Sequence, residues 1–179
     1  MNRILACMAA ALIAVSAFAQ TSKIPQRLEL AQIEINDGAV EIEVFKMPVG
    51  DENHYYLSAG HVGIGDEVFQ VNIDPVSELF VYLGNTLAEA MEALEQMKAL
   101  YKTEIGTSIQ MQGCLAVAWP REEKFEPVTI SFVKPFISKV LVFSVERGMY
   151  LNAASVTKSE FNSLLTGMKI YKKIHPKEQ

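Results

Sequence analysis

Leu83 to Tyr101, LGNTLAEAMEALEQMKALY, reads as an amphipathic helix in a chain whose neighbouring segments read as strands. Thr86 and Glu89 have capping-box spacing: the hydroxyl takes the amide three residues on, and the carboxylate reaches back to the cap amide. Leu87, Ala90, Met91, Leu94, Met97 and Tyr101 recur at helical spacing and form one apolar stripe, with Glu89, Glu92 and Gln96 opposite. Glu89 and Lys98 lie at the helix ends that favour their charges. Gly106 is the expected stop. A stripe that wide needs a partner layer, and the flanking segments supply a sheet.

The strands show in alternation and turns. In LELAQIEINDGAVEIEVF, Asp37-Gly38 marks a hairpin that sets Ile35 opposite Val40, Ile33 opposite Ile42 and Glu34 opposite Glu41. Residues 54–72 read as a second hairpin, with Gly60, Gly63 and Gly65 as turn or bulge glycines. Asp74-Pro75 turns the chain into a strand over 78–83. Beyond the helix, Ser108 to Trp119 alternates, placing Ile109, Met111, Leu115, Val117 and Trp119 on one face. Strands follow at 128–133, at Ile137 to Val145 and at 149–153. A second capped helix opens at Thr157 and Glu160, with Phe161, Leu164, Leu165, Met168 and Tyr171 as its stripe.

Shifting the first helix by 71 residues brings Thr86 onto Thr157, Glu89 onto Glu160, Leu94 onto Leu165 and Met97 onto Met168. The pattern suggests a repeated unit of strands followed by a helix. The expected fold is α+β: a mostly antiparallel sheet of about eight strands with two amphipathic helices on one face. The domain is expected over 28–175, with possible halves 28–106 and 107–175, after a flexible lead-in at 20–27.

The first nineteen residues have a different purpose. Arg3 precedes the apolar run ILACMAAALIAVSAFA, which ends in an A-x-A cleavage signal, so export to the periplasm or exterior and cleavage between Ala19 and Gln20 are expected. Cys7 lies too early in that run for a lipid-anchoring box. Its removal leaves Cys114 alone, so no internal disulfide is expected. No later stretch is apolar enough to span a membrane as a helix. Loss of Arg3 takes the net charge from −5 to −6. Residues 28–104 carry fifteen acids and three lysines, and residues 105–179 six acids and ten bases, a balance that argues against nucleic acid as the main partner.

Motifs that carry chemistry are few. The chain has no HExxH, GxSxG, P-loop, CxxC or EF-hand loop, and its glycines lack dinucleotide-fingerprint spacing. His54 and His61 could approach each other across the second hairpin near Asp51, Glu52, Asp66 and Glu67, as a weak acid–base or metal cluster. Cys114 sits mid-strand among small residues and reads as a packed thiol. WPREEKF, 119–125, has the composition of a partner anchor, but a core tryptophan beside a solvated charged loop is the preferred reading.

These readings favour an exported, non-enzymatic binding protein for a protein, peptide or small ligand, without cofactor or metal. Glu34, Glu41 and Glu43 are the candidate surface for a basic partner. The alternative is a hydrolase or metal-dependent enzyme built on His54, His61 and Asp66.

Overall fold

A computed structural model describes residues 26–35, 40–61, 77–146 and 150–178. The strands are β1 (Leu28–Ile35), β2 (Val40–Val49), β3 (Glu52–His61) and β4 (Ser77–Gly84), then β5 (Ser108–Val117), β6 (Glu126–Val133), β7 (Val140–Glu146) and β8 (Tyr150–Thr157). Helix α1 (Leu87–Ala99) follows β4, and helix α2 (Lys158–Ile174) follows β8. The eight strands form one antiparallel sheet in sequence order, β1 to β8. The sheet curls far enough for β8 to touch β3 as well as β7. This is the mostly antiparallel sheet with two helices that the periodicities predict. Asp37-Gly38, Gly63, Gly65, Asp74-Pro75 and the leader lie outside the described residues, but Ile35–Val40, Glu34–Glu41 and Ile33–Ile42 pair as the hairpin register requires.

Both helices start as their sequences dictate. Thr86 Oγ1 accepts from the Glu89 amide at 3.2 Å, while Glu89 Oε2 accepts from the Asn85 and Thr86 amides at 2.7 and 3.3 Å. The carboxylate fits because the residue before this turn is Gly84, at φ +130°, where a Cβ would stand 2.5 Å from that of Glu89. Thr157 and Glu160 repeat the box on α2. Helix α1 runs on into a 3-10 turn at Leu100–Lys102, so it ends well before Gly106, which lies in the following turn at φ +96°.

The stripes face the sheet. Leu87, Ala90, Leu94 and Met97 of α1 and Phe161, Leu164, Leu165 and Met168 of α2 are buried with Val44, Leu57, Leu79, Val81, Val128, Ile130, Phe143 and Val156. Helix α2 lies close over β1: a Cβ on Gly167 would come within 2.9 Å of the Ala31 Cβ. Tyr101 ties the end of α1 to β8 by donating to the Val156 carbonyl at 2.6 Å.

Two strand ends differ from their sequence readings. β7 begins at Val140, and Phe136 and Ile137 project from the connection before it. β5 ends at Val117 because Ala118 turns at φ +71° and the Trp119 amide bonds back to the Val117 carbonyl at 2.9 Å. That tight three-residue turn breaks the alternation, so Trp119 packs on the face away from the helices, opposite Ile109, Met111 and Leu115.

Candidate functional site

The face of β2–β5 turned away from the helices is not a plain solvated surface. Phe45, Met47, Tyr56, Phe80, Cys114 and Ala116 are buried there, with Tyr82, Trp119 and Phe125 packed around them. Phe45 stacks on Tyr56 with centroids 5.5 Å apart, and Phe80 meets Phe45 edge-on at 5.9 Å. These aromatics need a cover, and the 119–125 connection provides it.

Charge closes the cluster on one side. The Arg27 guanidinium lies 4.1 Å from the Phe45 ring centroid. It grips Glu43 with two nitrogens, Nε at 3.2 Å from Oε1 and Nη2 against Oε2, and reaches Glu78 Oε2 at 3.3 Å. Ser58 Oγ donates to the same Glu78 oxygen at 2.9 Å. Burial pushes the Glu43 carboxyl upward, and the Arg27 hydrogen bonds and charge pull against that shift without cancelling it.

On the other side Glu122, from the covering connection, accepts from the Tyr56 hydroxyl and bonds His54 Nδ1 through the same oxygen. Burial raises the Tyr56 phenol far above its ordinary range, and the hydrogen bond to Glu122 and that carboxylate's charge add to it, so Tyr56 acts as a fixed donor. Near the start of β3 an open cleft of about 520 Å³ is lined by Glu52, Asn53, Tyr55, Asn85, Thr86, Lys177 and Glu178. The C-terminal tail forms its wall. Glu178 accepts from Lys46 Nζ at 2.6 Å and from the Tyr171 hydroxyl at 2.9 Å. Burial alone would raise the Glu178 carboxyl and lower the Lys46 ammonium; their mutual hydrogen bond, the hydrogen bonds with Tyr171 and the nearby charges together outweigh it and drive each toward its charged form.

The sequence-predicted residues fall in separate places. His54 and His61 lie on one strand, β3, with seven steps between them, about 20 Å along an extended backbone. They do not converge: His54 bonds Glu122, while His61 is exposed opposite Glu78. Asp66 lies outside the described residues. Glu34 and Glu41 are exposed and paired, and Gln32 Nε2 donates to Glu41. Glu43 is only 8% exposed and is held by Arg27, so it is not presented to a partner with the other two. Sequence reasoning missed Arg27, which sits in the supposed lead-in, and Glu122, which sits in the covering connection. Arg27 is 16 and 51 residues from its two carboxylates, a separation no local pattern reveals.

No family model matches the chain, and no solved structure matches it. An amicyanin of Paracoccus denitrificans is 32% identical over 107 residues, which make up 57% of this chain and 77% of that protein. The name denotes a blue copper protein. Such centres combine two imidazoles and a thiolate with a long axial thioether. All three histidines of this chain and its buried Cys114 are among the described residues, and the fold keeps them apart. His54 is bound to Glu122, His175 stacks on Tyr171 at the end of α2, and the Cys114 sulfur accepts from the Arg121 amide at 3.2 Å. Among the described residues, no three His, Cys, Asp or Glu side chains are grouped to hold a metal ion. The donors do not fit a blue copper centre, so the kinship rests on sequence alone. With 32% identity across 77% of its relative, the chain belongs to the amicyanin family.

Proposed function

We propose that this is an exported, non-enzymatic binding protein that presents the outer face of its β1–β2 ribbon to a basic protein partner. One observation carries the reading. The nearby cations are already committed, Arg27 to Glu43 and Glu78 and Lys46 to Glu178, while Glu29, Glu34 and Glu41 stay exposed without a cationic partner among the described residues. Glu34 and Glu41 face each other, a like-charge arrangement that costs stability when nothing binds it. β1 is also an edge strand, so a partner can approach it from the side as well as from the face.

The hydrolase or metal-enzyme alternative draws on the His54–Glu122 pair alone. Its second histidine is far along the strand, and the polar groups around His54 are engaged with one another. The repeated order of four strands and a capped helix supports a duplication of halves 28–106 and 107–175. The kinship with amicyanin and the leader-like first nineteen residues both suit an envelope protein that works by association.

The test is capture from the native envelope with wild type and Glu41→Lys side by side. The acidic face predicts a basic protein retained by wild type, lost on Glu41→Lys and eluted by salt. Identical partners from both baits would remove the acidic ribbon from the account.

A further inference from the structure

We propose that the tip between β6 and β7 is a docking surface for an anionic lipid bilayer. Residues 134–139, KPFISK, are all exposed, with Phe136 at 89% and Ile137 at 90%. No other large apolar side chain of the described residues is so open; the next most exposed, Ile174, is at 65%. The tip is backed by sheet on both sides, since Val133 pairs with Val140 and Val140 with Thr157.

A further exposed apolar side chain lies in the neighbouring turn. Ile105 is 53% exposed in the turn before β5. That turn is stitched to β6 through Gly106 N to the Phe132 carbonyl at 2.8 Å and Phe132 N to the Thr107 carbonyl at 2.9 Å. Four lysines share this end of β5–β8: Lys102 before the turn, Lys134 and Lys139 flanking the tip, and Lys158 just after Thr157. All four are exposed, and none forms an ion pair with a described residue. The nearby acids are Glu104 and Glu160, the latter committed to the Thr157 cap.

This chemistry selects the occupant. All six tip residues are exposed and Phe136 and Ile137 are open to solvent on nearly every side, so a flat protein face would leave part of each in water, whereas an interface of headgroups and acyl chains closes around them. Ammonium groups around the apolar pair then meet lipid phosphates, and their methylene stems lie along the boundary. The chain as a whole is negative, at −5, so attraction to an anionic surface has to come from this local cluster rather than from net charge.

The experiment is co-sedimentation of the processed chain, beginning at Gln20, so that the apolar leader contributes nothing; the described fold lies wholly within residues 26–178. The probes are vesicles of phosphatidylcholine alone and of phosphatidylcholine with phosphatidylglycerol. Wild type is expected to bind the phosphatidylglycerol vesicles more tightly, and less so as salt rises. Phe136→Ser with Ile137→Ser should weaken that binding about tenfold or more. Lys134→Glu with Lys139→Glu should weaken it to a similar degree of about tenfold and remove the preference for phosphatidylglycerol. Circular dichroism confirms that the variants fold. No binding to either vesicle, or serine variants that bind like wild type, would overturn the proposal. A dimer in sedimentation velocity that the serine variants abolish would also overturn it, by assigning the tip to a second copy of the chain.

Discussion

Arg27 shows how much one residue can organise on this face. It stacks on Phe45, binds Glu43 twice and reaches Glu78, so its removal leaves two part-buried carboxylates without their cation. Arg27→Ala is expected to cost about 3 kcal/mol, the low end for breaking a buried pair because these groups keep some solvent contact. The Glu43 carboxyl should titrate above 4.5 in wild type and higher still in the variant, which carboxyl NMR reads directly. Its folded pKa is raised, so the folded state holds the proton longer than the unfolded chain. Glu43 therefore opposes folding above its folded pKa, and this cost is relieved as pH falls toward 4.5. Glu178 has the opposite sign. Its folded pKa is lowered, so its contribution is present above 4.5 and lost as pH falls through the folded value. Glu178→Gln should remove that acid-side loss, an effect that acid titration of stability with and without the substitution would display. A Glu178→Gln curve that keeps the wild-type acid limb would mean the tail does not hold Lys46.

Among the elements, the helices carry the most checkable energetics. Leu94 and Leu165 are fully buried in the same core, so Leu94→Ala and Leu165→Ala should each cost about 2–5 kcal/mol in denaturant unfolding. Thr86→Ala and Thr157→Ala each remove the hydroxyl of an intact capping box and should cost about 1 kcal/mol. Midpoints near wild type for the leucine variants would place the stripes in solvent. Both helices were legible in the sequence because caps and stripes are local. The register of β1 with β2 was legible for the same reason, since Asp37-Gly38 and alternation fix which residues face each other. Trp119 was misplaced because alternation assumes a continuous strand, and one left-handed alanine interrupts it. Ile137 was read into β7 because a β-branched residue before a strand resembles its first residue; only the exposed tip shows otherwise. The Arg27–Glu43–Glu78 and His54–Glu122–Tyr56 groupings depend on strands and a connection brought together by the fold, and no spacing in the chain announces them.

For the whole molecule, the sheet divides labour between its faces. One face buries both helices, and the other buries an aromatic cluster under a charged connection and Arg27. Exposed carboxylates line the β1–β2 ribbon, and exposed lysines surround the β6–β7 tip. Glu41→Lys replaces a like pair with an opposite one and should leave the fold as stable as wild type or about 0.2–1 kcal/mol more so. The most direct test of the central claim is the rate at which wild type and Glu41→Lys associate with the captured basic partner as salt is varied. The acidic ribbon predicts a rate that falls steeply with ionic strength for wild type and is slow and nearly flat for Glu41→Lys, with dissociation little changed. Equal rates with the same salt dependence for both proteins would contradict it.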